Sequence, residues 1–276
     1  MLKNDIFCKT AAMDAEKPLV SVLIPIRPNC PTLHYSLNSI ANQSYRNFEV
    51  IAVLDRDSGE NSRVITETFT DANYKIIHTD YSQIGFAEML NIGIRASNGA
   101  LIARHDDDDF SYPERLKLQV DLFNKFPNTV LAGGWTNVIN PDGNSIYLIK
   151  PSQNPALELL SQNVICHSSA TFSKQAALGV GGYGNNLSGC EDYDLWLKLI
   201  ANGEIRAIQS IIVDYLLNQN GMSRHPISKE TMKLLNQSRN IAQKNLNIGL
   251  IKRLSQKKLW ESSQKLANKS DRVIGR

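Results

Sequence analysis

Apolar residues in the first half of the chain come in short unbroken runs separated by helical spacing. Residues 19–25, Leu-Val-Ser-Val-Leu-Ile-Pro, are rich in branched side chains and stopped by proline, which predicts a short buried strand. Residues 48–54 predict a second strand, and the cluster from Asp55 to Gly59 a turn behind it. Residues 74–78 and 100–103 predict two more. Leu33, Leu37, Ile40 and Ala41 repeat at the helical period and predict a helix over 31–42. A weaker helix is expected over about 60–70 and a stronger one over 84–97, with Ser97-Asn98-Gly99 as its cap. Pro113 suits the first turn of a helix reaching Phe126. Strands alternating with helices imply βαβ units and a parallel sheet.

The second half is less regular. Pro141-Asp142-Gly143 predicts a hairpin between two strands, and residues 166–173 and 205–213 predict further strands. Five glycines between 179 and 189 predict a mobile loop. A helix over 191–201 follows, with Tyr193, Trp196, Leu197 and Ile200 on one face. From Ile227 onward the chain reads as helical and basic. The expected organisation is a flexible start over 1–17, one α/β domain over 18–225 and a basic helical extension over 226–276.

Open α/β sheets bind ligands at the carboxyl ends of their strands. Residues 25–27, 55–57 and 104–109 all fall at predicted strand ends, so three polar clusters should meet on one edge. The last holds Asp106, Asp107, Asp108 and Asp109 in a row. Four adjacent carboxylates repel one another, and a cation relieves that repulsion. Hard oxygen donors suit Mg²⁺ or Mn²⁺, and such an ion can bridge to a diphosphate. A solvated acidic helix start is the plainer reading, and it fits Asp109 and Asp107 better than Asp106 and Asp108.

Composition adds limits. The chain has 276 residues with 42% hydrophobic and 21% charged, the profile of a folded domain. Cys8, Cys30, Cys166 and Cys190 show no metal-binding spacing and read as free thiols of a reducing compartment. No run approaches the ~20 apolar residues a membrane span needs, and residues 1–17 lack the apolar core of a signal peptide. A cytoplasmic protein is expected. Charge is uneven: residues 227–276 carry 12 Lys/Arg against 3 Asp/Glu, a net of +9, while the rest nets −6. With its Leu, Ile and Trp260, the basic tail predicts a peripheral contact with anionic membrane. It lacks a nucleic-acid reading motif, and no nucleic-acid partner is expected.

Five segments, in order, resemble family 2 glycosyltransferases. They are residues 20–25, residues 48–55, residues 85–93, the segment 103–115 with its DxD pattern, and Gly181-Gly182-Tyr183 followed by residues 189–196 with Glu191-Asp192. The resemblance covers about residues 18–220. It implies a GT-A fold, a Rossmann-like nucleotide-binding mixed sheet flanked by helices. It also implies inverting transfer from a nucleotide-diphosphate sugar, a UDP-sugar, to a hydroxyl of a glycan or lipid-linked acceptor in surface polysaccharide synthesis.

Residue by residue, the resemblance makes Asp55 the contact to uracil and puts Pro25, Ile26 and Arg27 in the base pocket. Gly85 and Asn91 lie on the helix behind the nucleotide, and Arg104, Asp106 and Asp107 contact the donor. Asp108, with Asp106, ligates Mn²⁺ or Mg²⁺. Asp192 is the catalytic base, taking the acceptor proton, and Glu191 orients it or binds acceptor. Asp194 is assigned to solvent or a local hydrogen bond, and His167 to the acceptor side. Two positions depart from the family. Ile26-Arg27-Pro28-Asn29 replaces the usual segment after the first strand, and Asn218 stands where relatives often carry a histidine, with His225 seven residues on. These departures leave a non-catalytic nucleotide-sugar-binding relative as the alternative. A homodimer stays open.

Overall fold

The computed structural model describes residues 17–56, 59–70, 72–187, 189–217, 227–249, 255–256 and 258–262. Its first strands, β1 (Val20–Ile26) and β2 (Phe48–Asp55), are buried along their whole length. Side chains alternate between the faces of a strand, and here both faces are covered. Val22, Ile24, Val50, Ala52 and Leu54 point into one core, and Leu23, Ile51 and Val53 into the other. That double burial explains why these runs lack a polar stripe.

The first core is closed by helices α1 (Leu33–Ala41), α2 (Glu60–Thr68) and α4 (Arg115–Lys125). The second is closed by α3 (Tyr81–Ala96), α7 (Glu191–Leu199) and α8 (Lys229–Asn245). The remaining strands are β3 (Asn73–Thr79), β4 (Leu101–Arg104), β5 (Phe110–Ser111), β6 (Thr129–Ile139), β7 (Ser145–Ile149), β8 (Thr171–Ser173) and β9 (Glu204–Leu216). Two short helices, α5 (Ala156–Leu159) and α6 (Lys174–Gly179), complete the described elements.

The sheet order is β3-β2-β1-β4-β8-β6-β9-β5, with β7 paired to β6. The first four strands are parallel, as expected from the alternation of elements. β8 then runs antiparallel to both β4 and β6, so the sheet is mixed. The Pro141–Gly143 hairpin joins β6 and β7 as read from sequence.

Three local expectations are corrected. Residues 166–170 are a 3₁₀ turn rather than strand, because the amides of Ser169 and Ala170 fold back onto the carbonyls of Cys166 and His167. Gly99 does not cap α3 in a left-handed conformation. It allows close approach instead: a Cβ there would lie 2.7 Å from the Leu19 carbonyl oxygen and the Ser21 nitrogen. The glycine-rich loop is also tied down. The Asn91 amide donates to the Tyr183 carbonyl and accepts from the Tyr183 amide, each at 2.9 Å, and Tyr183 is buried.

The basic extension begins inside the second core. Leu235 and Ala242 of α8 are fully buried, and Ser238 donates to Asp194 of α7 at 2.5 Å. Trp260 is also fully buried, under the Arg239 guanidinium at 3.7 Å, so it cannot serve as the membrane contact read from sequence.

Candidate active site

Three strands deliver the polar clusters to one edge. β1 ends at Ile26 and hands over to Arg27, β2 ends on Asp55, and β4 ends on Arg104. β1 lies between β2 and β4. Asp57, Asn218 and His225 lie outside the described residues.

The four aspartates separate into four different situations. Asp106 accepts from the Arg104 guanidinium at 2.6 Å. Burial opposes its charge, yet the Arg104 guanidinium holds its carboxyl below the ordinary range. The Arg104 side chain is fully buried and also donates to the carbonyls of His105 and Leu23. The structure therefore places the Arg104 guanidinium beneath Asp106, as its support, rather than on an open surface.

Asp107 is buried and occupied by Arg27. Its carboxylate accepts from the Arg27 backbone amide at 2.8 Å, from Nε at 3.0 Å and from Nη2 at 2.7 Å. The structure thus places Asp107 in a bidentate ion pair with Arg27. Asp108 accepts from the same Nη2 at 2.7 Å. Burial, with Asp106 and Asp107 adding negative charge, pushes its carboxyl up to about 6. Asp109 is buried and accepts from the Leu216 amide at 2.9 Å, which ties the acidic turn to the end of β9. Burial and the neighbouring Asp106 and Asp108 raise its carboxyl well above the usual range.

Asp55 is nearly buried and accepts from the Tyr81 amide at 2.9 Å, at the start of α3. Pro25 and Ile26 are also buried, on β1. α3 is broken at Gly85, whose φ of 74° and ψ of 165° are open to glycine at little cost. The break bends the first turn of α3 over a cleft of about 460 Å³, whose walls include Tyr81, Gly85, Phe86, Asn186 and Glu191. Asn91 spends its amide on Tyr183, so it positions the loop rather than facing a ligand.

Glu191 and Asp192 open α7, where the helix terminus favours negative charge. Burial, with Asp192 beside it, lifts Glu191 to about 7. Burial lifts Asp192 to about 6, against the pull of Asn163 and the Tyr193 amide. Asn163 donates to one carboxylate oxygen at 2.9 Å and the Tyr193 amide to the other at 2.7 Å. Each oxygen keeps a lone pair for a further proton. The Asp106 charge adds to the rise of Asp192 and the Arg104 charge opposes it.

His167 donates to or accepts from Tyr183 Oη at 2.8 Å, and its ring packs against Tyr183 and Trp196. Burial, with the Arg104 charge, keeps it neutral far below its ordinary pKa. Asp194 is buried, paired with Lys198 at 2.5 Å and with Ser238, not solvated. Asn163 was not legible in the sequence, since a single amide 29 positions before Asp192 carries no motif.

The acidic pair suits a hard divalent ion. Asp108 is crowded by like charges and offers oxygen donors only. Among the described residues no three His, Cys, Asp or Glu side chains converge as a ligand set. Mg²⁺-type sites commonly use one or two carboxylates and complete their shell with phosphate oxygens and water.

Comparison with known proteins identifies the family and the fold. The sequence model described as Glycosyl transferase family 2 matches residues 21–178, more than half of the chain. The O-antigen biosynthesis glycosyltransferase WbnJ of Escherichia coli is 30% identical over 186 residues, 66% of this chain and 72% of that protein. S. aureus TarS 1–349 in complex with UDP-GlcNAc is similar at a TM-score of 0.67 and 13% identity, over 87% of this chain and 70% of that one. The Pyrobaculum calidifontis mannosyltransferase PcManGT, in complex with GDP-Man and Mn²⁺, reaches 0.60 at 16% identity, over 96% and 85%. At such identities the two structures speak for the fold alone, which is of the GT-A type. The chain spans about a third of the length of the first curated relatives it matches.

Proposed function

The chain belongs to glycosyl transferase family 2, and from that premise we propose that it moves a sugar from a UDP-sugar to a glycan or lipid-linked hydroxyl, with inversion. The observation that carries the chemistry is Asp192: a carboxylate at a helix N-terminus, held by Asn163 and the Tyr193 amide, lifted to about 6 and within electrostatic reach of Asp106. A general base works best with a pKa near the operating pH. Asp192 takes the acceptor proton as the acceptor oxygen bonds to the anomeric carbon. The bond from that carbon to the diphosphate breaks on the opposite face, which inverts the centre. Asp108, with Asp106, would hold Mn²⁺ or Mg²⁺, and the bound ion would supply positive charge to offset that left on the diphosphate. Asp55 offers the uracil edge an acceptor at the end of β2.

A role in surface polysaccharide synthesis is supported by the likeness to an O-antigen glycosyltransferase and to the chondroitin synthase of Escherichia coli. A base identity other than uracil is a live test, because the similar structures hold both UDP-GlcNAc and GDP-Man.

Asp192→Asn should keep UDP-dependent thermal stabilisation with Mn²⁺ and lose transfer by about 10²-fold or more. Full turnover by Asp192→Asn would overturn the base assignment. Stabilisation by GDP in place of UDP would overturn the uridine reading.

A further inference from the structure

The donor edge carries a cation of its own. Arg27 follows β1, the strand between Asp55 on β2 and Asp106–Asp108 behind β4. Neighbouring strands lie about 4.8 Å apart, so β2 and β4 ends are separated by about 10 Å. A nucleotide with its base at Asp55 and its diphosphate near Asp108 must cross the end of β1. Arg27 stands on that path.

The arginine is held by built contacts rather than by chance. Its backbone amide, Nε and Nη2 all donate to the buried Asp107. Its carbonyl accepts from the buried Asn61 side chain at 3.1 Å. The Cys30 thiol donates to the Asp107 carbonyl at 3.3 Å and closes the turn. Despite this tethering, the Arg27 side chain is 50% exposed. Only one of its bonds, from Nη2 to Asp108 at 2.7 Å, goes to the expected metal ligand. An arginine fork matches phosphate oxygens well.

We propose that Arg27, fixed by Asp107, is a diphosphate-binding residue of the donor site that releases Asp108 when donor and metal arrive. The bond from Nη2 to Asp108 is exchanged for one to a diphosphate oxygen, while the bonds to Asp107 persist. Arg27 Nη2 thus bonds the same carboxylate that a divalent ion would need. This rests on the nucleotide-sugar reading above, and it accounts for both Arg27 and Asp107 as one pair, 80 positions apart.

The two roles have opposite signs, which makes the test sharp. UDP binding is measured by calorimetry in EDTA and in Mn²⁺, and Mn²⁺ binding without nucleotide by electron paramagnetic resonance. Arg27→Met should weaken UDP binding at least tenfold in both buffers and tighten Mn²⁺ binding several-fold. UDP affinity within twofold of wild type in both buffers would overturn the diphosphate contact. Unchanged or weaker Mn²⁺ binding would overturn the exchange at Asp108. Should Arg27→Met fail to melt cooperatively, Arg27→Lys serves: it keeps the charge but not the fork, and should fall between wild type and Arg27→Met in UDP affinity. Wild-type protein that binds no UDP would instead defeat the donor reading on which this rests.

Discussion

Asp192 illustrates how one side chain is tuned. Burial raises its carboxyl to about 6, while the hydrogen bond from Asn163 works the other way by favouring the charged form. The base must be ionised to accept a proton. Transfer should therefore fall as pH drops through about 6, approaching tenfold per pH step below it. Asn163→Ala removes a bond that favours the carboxylate, so the acid limb should move to higher pH. A pH profile of kcat/KM for both proteins checks this, and an unshifted limb in Asn163→Ala would remove Asn163 from the proton chemistry. At this scale much of the candidate site was legible. Asp106, Asp108, Glu191 and Asp192 stand out because they cluster at a strand end and a helix start. Asn163 and the use of Asp107 were not, because an isolated amide or one carboxylate among four has no local signature.

At the scale of elements, α7 carries Asp192, the proposed base, and α8 braces α7. Asp194 holds Lys198 and Ser238, and Arg239 donates to Tyr193 Oη at 3.3 Å while stacking on Trp260. Replacing a fully buried tryptophan by alanine commonly costs about 3–5 kcal/mol. Trp260→Ala should accordingly lower the urea midpoint of the whole protein. A loss below about 0.5 kcal/mol would show that the extension does not brace the catalytic domain. The long elements β1, β2, β3, α1, α4, α7 and β9 lay within a few residues of their expected positions, because burial imposes a period on several turns or residue pairs. The short ones, β5, α5 and α6, span too few residues for any period to register. The break at Gly85 was equally hidden, since apolar spacing continues across it.

For the molecule as a whole, the basic extension faces two ways. Leu235, Ala242 and Trp260 are buried, whereas Lys233, Lys244, Lys258, Ile241 and Leu259 are exposed. We propose that these exposed residues, rather than Trp260, meet an anionic membrane. Each basic residue near such a surface contributes roughly 1 kcal/mol. Replacing Lys233, Lys244 and Lys258 by glutamine should weaken sedimentation with phosphatidylserine vesicles by about two orders of magnitude. Equal sedimentation of both proteins would end that proposal. No described helix is long and apolar enough to cross a membrane.

The sequence by itself determined the alternation of strands and helices, the strand end on which the acidic run falls, and the helix that presents Glu191 and Asp192. Those features are local: a strand or helix buries a repeating set of positions, and the repeat is written along the chain. Tertiary structure decided the pairings. It gave Asp107 to Arg27, sealed Arg104 beneath Asp106, brought Asp192 into the field of Asp106 and folded Trp260 into the core. Any arginine can pair with any aspartate, and any tryptophan can face core or surface. Only the packing of β1 between β2 and β4, and of α8 on α7, chooses among them.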